Sequence, residues 1–121
     1  MSLQRIIIEM GTGNDLYGQD YTKAARRAVE DAMRHSSITL FWTLDVPPAA
    51  MQVKVTVAVQ QPEQVDVAKV AEIMPHGQIS VEVVKGGLDV VHAEGELHHV
   101  VATAAVEAYL PRTALAGWKA I

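Results

Sequence analysis

The sequence predicts an α+β domain of order βαβαββ, a four-stranded mixed sheet carrying both helices on one face. Three observations carry this expectation. Val53, Val55, Val57 and Val59 alternate with Gln52, Lys54, Thr56, Ala58 and Gln60, the period of a half-buried strand. Tyr21, Ala25, Ala28, Val29, Ala32 and Met33 recur at spacings of three and four, the period of an amphipathic helix. Between such segments stand Pro62, Pro75-His76-Gly77, Lys85-Gly86-Gly87 and Pro111, which break regular structure.

The elements follow in order. Ile6, Ile7 and Ile8 form a β-branched run that suits a strand covered on both faces. Gly11-Thr12-Gly13-Asn14-Asp15 is expected to end it and open a loop. A helix is expected over 20–36, capped by Asp20. Arg26/Glu30, Arg27/Asp31 and Glu30/Arg34 would pair along its outer face. Residues 38–50 hold Ile38, Leu40, Phe41, Trp42 and Leu44 without a period, either a wrapped edge or a subunit contact. After the strand at 51–60, a short helix is expected over 65–74, with Val67, Val70, Ala71 and Met74 on one side. Alternation returns at 78–84, followed by a Gly-rich loop over 85–96. Residues 97–110 read equally as helix or strand: alanines favour the first, valines and Tyr109 the second. Residues 1–110 make one domain and 111–121 a tail.

With 97–110 as a strand, right-handed crossovers put both helices on one face. The other face, with Thr56, Ala58, Gln78 and Ser80, is left bare. Self-association is the usual way to complete such a sheet. The same order describes the fold of monofunctional chorismate mutase, shared by the reactive-intermediate deaminase family. Those proteins are trimers with clefts between subunits, so a homo-oligomer, a trimer, is expected at the level of fold alone.

Composition excludes several classes. The chain has 121 residues, half of them hydrophobic and 20% charged, a globular balance rather than a disordered one. No apolar run approaches the roughly 20 residues that span a bilayer, so no membrane partner is expected. No signal peptide is read before the first strand, and a cytoplasmic location is expected. There is no cysteine, which removes disulfides and thiol chemistry. A net charge of −4 speaks against nucleic acid as a partner.

Three segments could carry chemistry. Residues 9–20 hold three glycines, Glu9, Asp15 and Asp20, with Asn14 and Gln19 beside them. A strand-to-helix connection normally takes two to six residues, so this one is longer than needed. Glycines there let backbone N–H groups approach an anion at a helix N-terminus. The spacing of Gly11, Gly13 and Gly18 fits neither a dinucleotide fingerprint nor a P-loop. The second segment, His92-Ala93-Glu94-Gly95-Glu96-Leu97-His98-His99, is rich in metal-competent side chains but lacks zincin spacing, so no metal is assigned. The third is Lys85-Gly86-Gly87, a cation beside a close backbone approach.

Ile8-Glu9-Met10-Gly11-Thr12-Gly13-Asn14-Asp15-Leu16-Tyr17-Gly18-Gln19-Asp20 resembles the N-terminal signature I-E-M-G-x-G-x-D-x-H-G-x-D of a small conserved-hypothetical family found in bacteria and plants. Val53-Lys54-Val55, Pro62–Val67, Val81–Leu88 and Ala104–Tyr109 extend the likeness over roughly residues 4–110. It implies Glu9, Gly11, Gly13, Asp15, Gly18 and Asp20 as signature positions. It assigns no reaction and no cofactor. Tyr17 stands where the signature has His, so any role for that imidazole would fall to His92, His98 or His99.

The functional expectation is a small-molecule enzyme or binder acting on an anionic or amide-bearing metabolite at a subunit cleft. Gly11, Thr12, Gly13, Asn14, Gly18 and Gln19 would bind the ligand, with Lys85, Gly86 and Gly87. Backbone N–H groups of Gly11 to Gly13 would hold an anion or oxyanion. Asp15 would be the general acid or base, oriented by Glu9 or Asp20, with His98 or His99 as the other candidate base. Two rival readings are a non-catalytic regulatory or interaction module working through Phe41-Trp42, and a metal-dependent hydrolase using His92, His98, His99 and a carboxylate of the 92–99 cluster.

Overall fold

The computed structural model describes residues 2–35, 48–74, 77–91 and 98–115. The elements are β1 (Leu3–Asp15), α1 (Tyr21–Arg34), β2 (Gln52–Val59), α2 (Val67–Ala71), β3 (Gln78–Lys85), β4 (Leu88–Val91) and β5 (His98–Pro111). Short 3₁₀ turns lie at Pro48–Ala50, Pro62–Gln64 and Arg112–Leu115. The sheet has five strands in the order β1-β5-β2-β3, and β4 also pairs with β5. β5 is antiparallel to β1, β2 and β4, while β2 and β3 are parallel. The class is α+β with a mixed sheet, as the sequence predicts, but with one strand more.

That strand comes from the expected Gly-rich loop over 85–96. β2 pairs with β5 from Ala58↔Thr103 upward, and β4 takes the next stretch, Leu88↔Val101 to Val91↔His98. The chain must therefore step sideways after β3, from the flank of β2 to the flank of β5. Gly86 N–H donates to Val59 C=O (2.9 Å) at the step. Gly87 has φ +61, and a Cβ there would sit 2.4 Å from Val101 O and 2.8 Å from Ala58 O. Only glycine combines that backbone with that proximity. Gln60 Nε2 ties the step down by donating to the carbonyls of Gly86 (3.0 Å) and Gly87 (3.3 Å).

Residues 11–15 are a second correction. They are the last third of β1, not a loop. Gly11 pairs with Ala104 and Gly13 with Ala102, and α1 lies directly over them. A Cβ on Gly11 would fall 2.4 Å from Ala32 N and 2.5 Å from Ala28 O. One on Gly13 would fall 2.3 Å from Ala28 N and 2.4 Å from Ala24 O. The two glycines are therefore a bed for the helix. Ala24, Ala28 and Ala32, at i, i+4 and i+8, form the matching helix face and are fully buried.

The same contact settles the ambiguous segment where it is described. His98–Pro111 is a strand, with Val100, Ala102, Ala104, Val106, Ala108 and Leu110 buried at every second position. As an interior strand, β5 has its backbone satisfied on both sides. Its alanines flank the glycine bed, where small side chains keep the floor low.

The core holds Tyr21, Ala25 and Val29 of α1, the valines of β2, Val70 of α2, Met74 and the inward side of β5. Asp20 caps α1, its side chain accepting Lys23 N–H (3.0 Å). Asp66 caps α2 through Ala68 N–H (3.1 Å). The charges on α1 are spent on other elements more than along the helix. Arg26 reaches Glu72 (3.1 Å) and the Lys69 carbonyl (2.5 Å). Arg27 donates to the Asn14 carbonyl (2.6 Å), and Asp31 accepts Thr12 N–H (3.0 Å). Both bonds fall on β1, an outer strand, and they occupy backbone groups that would otherwise invite another chain. Among the described residues, no helix is long and apolar enough to cross a membrane.

Gly13→Ala is expected to destabilise the fold by about 3 kcal/mol or more, because the new methyl meets rigid helix backbone. Thr12→Ala, on the exposed side of the same strand, should cost about 1 kcal/mol. Urea unfolding of both variants checks the contrast.

Candidate functional site

The polar groups of the core gather at the end where β1 and β2 finish and α1 begins. Asp15 closes β1 and is 5% exposed. Its Oδ2 accepts Asp20 N–H (2.9 Å), and Arg27 Nη1 stands 3.8 Å from Oδ1. A Cβ on Gly18 would fall 2.6 Å from Asp15 Oδ2, so that residue is small because the carboxylate needs the space. Gln19, at φ +52, turns the chain into α1. The carboxylate of Asp15 thus closes the turn.

Tyr21, the first residue of α1, is buried, and its hydroxyl donates to Asp89 Oδ2 on β4 (2.5 Å). Gln61 Nε2, just past β2, donates to the same hydroxyl (3.0 Å), and Gln61 Oε1 accepts from Gln64. Burial, reinforced by the bond to Asp89, pushes the Tyr21 phenol up to about 12. Asp15 and Asp89 both pair with Val100, from opposite sides of β5. Their backbones are therefore about 10 Å apart, two strand spacings, on one face of the sheet.

His99 lies on the other face of β5. Its Nδ1 bonds to the Leu16 carbonyl, and Tyr17 stacks edge-on against it with ring centroids 5.6 Å apart. A carbonyl only accepts, so the neutral ring carries its proton on Nδ1 and leaves Nε2 as the acceptor.

The structure divides the sequence-predicted site residues into two groups. Asn14 and Asp15 pair with Val101 and Val100, Gly18, Gln19 and Asp20 build the turn around the Asp15 carboxylate, His99 bonds the Leu16 carbonyl of that turn, and Gly87 lies against the Val101 carbonyl from the other flank of β5. Lys85 ends β3 opposite Val59, before the step. Gly11, Thr12 and Gly13 lie up the strand. Thr12 N–H points to the outer edge and Asp31, so by alternation the Gly11 and Gly13 N–H groups point into the ladder with β5. They are spent there and form no anion hole. Glu9 is six residues from Asp15 along an extended strand, roughly 20 Å, and cannot orient it. The His98 side chain, His92, Glu94, Glu96, Phe41 and Trp42 lie outside the described residues. Among the described residues, no three metal-competent side chains cluster.

Sequence reasoning missed Tyr21, Gln61 and Asp89 as a group. Tyr21 counts as a helix-core residue by its spacing. The signal available was its hydroxyl, which needs a partner wherever the ring is buried. Asp89 and Gln61 carry no local signal, since they meet Tyr21 only through the fold.

A model of the conserved hypothetical protein family Lin0512_fam matches residues 5–108, the span that holds every group of this site. The chain belongs to that family. It is also similar to the crystal structure of an FtsZ-like protein of unknown function from Nostoc punctiforme PCC 73102. The two share 34% sequence identity and superpose with a TM-score of 0.82, covering 91% of this chain and 98% of the other. No curated protein matches the chain.

The Tyr21 phenol gives a pH test. A folded value near 12 against an unfolded value near 10 means that its stabilising contribution is complete below pH 10. It is lost as pH rises through about 12. Ultraviolet titration of the native protein should show a phenolate component appearing near pH 12, absent from Tyr21→Phe. Denaturant midpoints should fall over the same pH range in the parent chain and stay flatter in that variant.

Proposed function

We propose that this family member binds a small amide- or amine-bearing metabolite at the α1 end of the sheet, around Tyr21, Asp89 and Gln61. One observation carries the reading: a buried tyrosine hydroxyl donates to Asp89 at 2.5 Å while Gln61 donates to the same oxygen. Structural hydrogen bonds of this density at the edge of an apolar core are costly to assemble. Groups with displaced pKa values cluster at functional sites. In open sheets, ligands favour the crevice beyond the carboxyl ends of parallel strands, which is where this group lies.

The chemistry of the site selects the ligand class. Asp15, Asp20 and Asp89 bring negative charge, which suits an N–H donor and opposes an anion. The anionic arm of the sequence expectation loses its support with the Gly11–Gly13 N–H groups. The groove between α1 and α2 does not restore it, because Arg26 and Arg27 already serve Glu72, Asp15 and two backbone carbonyls. If turnover follows binding, Asp89 is the base, and the Tyr21 hydroxyl, donating to its carboxylate, is a positioning residue. Asp15 is a positioning residue for the turn.

The strand order supports a finer fold likeness. β1, β2 and β3 run parallel, the last strand is inserted antiparallel between β1 and β2, and both helices share one face. We read this as the architecture of monofunctional chorismate mutase and the reactive-intermediate deaminases, with β4 added.

Native mass spectrometry of gently purified, tag-free protein is expected to show a retained small mass. Asp89→Asn and Tyr21→Phe should each weaken retention roughly 10-fold or more, the scale of one charge-assisted hydrogen bond. Asp66→Ala, which removes the cap of α2 away from the site, should lower stability by about 1 kcal/mol and leave retention intact. Retention unchanged in both site variants would refute the assignment.

A further inference from the structure

Gln61 stands where β2 passes into the 3₁₀ turn Pro62–Gln64, and its side-chain amide can face only one way. The Tyr21 hydroxyl has a single proton, which it donates to Asp89 (2.5 Å). Toward Gln61 the phenol oxygen can therefore only accept, so the amide atom 3.0 Å from it is the nitrogen. Turning the amide over would place its oxygen against a phenol oxygen whose proton is already spent. The other end is held as well, because Gln61 Oε1 accepts from Gln64 Nε2. The hydrogen bonds run in one direction, from Gln64 through Gln61 and Tyr21 to Asp89.

The backbone keeps the two glutamines together. Gln64 N–H donates to the Gln61 carbonyl (3.1 Å), and this i to i+3 closure sets one side chain over the other. Thr22, next to Tyr21 on α1, donates through Oγ1 to the Gln64 carbonyl (3.4 Å) and ties the turn to the helix. Gln61 Nε2 carries two protons. One goes to Tyr21, and among the described residues no group accepts the second. The carboxylate of Asp89 accepts from Tyr21, and a carboxylate has lone pairs for about four hydrogen bonds. Gln61 and Asp89 are both half-buried. Each lies one hydrogen bond from the same phenol oxygen, so a fixed N–H donor stands beside a fixed acceptor.

We propose that the group recognised here is a neutral carboxamide, its carbonyl accepting from Gln61 Nε2 and its N–H donating to Asp89. This rests on the ligand site argued above and narrows its class from amide or amine to amide. An ammonium or amidinium satisfies Asp89 but meets Gln61 donor to donor. A carboxylate satisfies Gln61 but meets Asp89 acceptor to acceptor, with like charge. Because Gln61 cannot turn over, either mismatch leaves a half-buried polar group unpaired. Attraction to Asp89 offsets part of that loss for a cation, so the margin is narrower against an amidinium than against a carboxylate.

Acetamide, acetamidinium and acetate have nearly one shape and differ in this pattern of donors and acceptors. Each is titrated into the full chain at neutral pH. Binding is followed by NMR of the Gln61 side-chain amide and the Tyr21 and Asp89 backbone amides. Acetamide should bind about 5-fold more tightly than acetamidinium and at least about 10-fold more tightly than acetate. Gln61→Glu, which replaces the donor with an acceptor, should reverse the order of acetamide and acetamidinium. Circular dichroism melts check that it folds. Should it fail, Gln61→Met, which removes the donor at similar length, should abolish the preference for acetamide over acetamidinium. Acetamidinium or acetate binding as tightly as acetamide, or a preference unchanged in the variant, would overturn the carboxamide assignment and leave the ligand site standing. If none of the three shifts those resonances, the site itself is refuted and the assignment falls with it.

Discussion

The close approach of α1 to β1 is the contact on which the rest depends. Gly11 and Gly13 remove two side chains from the strand, and Ala24, Ala28 and Ala32 present the thinnest face a helix can offer. The helix then rests almost on the backbone of β1, and its long polar residues extend past the strand. Arg27 and Asp31 reach the outer edge of β1, where a helix held further off would leave them in water. The same height sets the depth of Tyr21. At the start of α1, the ring drops to the level of β4 and its hydroxyl meets Asp89. A methyl group on either glycine would lift the helix and with it the polar network at its N-terminus.

The two carboxylates opposite Val100 show how a sheet organises polar groups far apart in sequence. Asp15 and Asp89 are 74 positions apart in the chain, yet the register of β5 places them on one face at one height. They do different work. Asp15 holds the turn into α1 through the Asp20 amide, and Gly18 leaves room for it. Asp89 holds the tyrosine. The turn is rigid because it is closed from within, and this rigidity gives Tyr21 a fixed position.

The sheet is asymmetric in composition. Its helix side is Val and Ala with a buried polar end, and its open side is small, partly apolar and crossed by alternating charge. The valines of β2 read correctly in the sequence because they face helices, and burial there tolerates only apolar groups. The open side was legible only as small and polar. Lys54, Glu82, Arg5 and Glu107 each look like ordinary surface charges in sequence. Arg5 meets Glu107 only because β5 lies against β1, and Lys54 meets Glu82 only because β3 lies against β2.

What the sequence by itself determined was local: the helix of α1 with its Asp20 cap, the alternation of β2 and β3, and the chain breaks at Pro62 and Gly86-Gly87. Each follows from periodicity or backbone chemistry acting over a few residues. Asp15, Gly18 and Asp20, which the family signature marks, build one turn. Tertiary structure decided the rest. Glycines favour a loop when read alone, and only a helix lying on them makes Gly11 and Gly13 strand residues. Alanines in 97–110 favour a helix when read alone, and only two flanking strands make β5 a strand. Tyr21, Gln61 and Asp89 became a group because three elements end at one place. Propensity acts on neighbours in sequence, whereas packing and register act on neighbours in space, and at these positions the second set of forces is the larger.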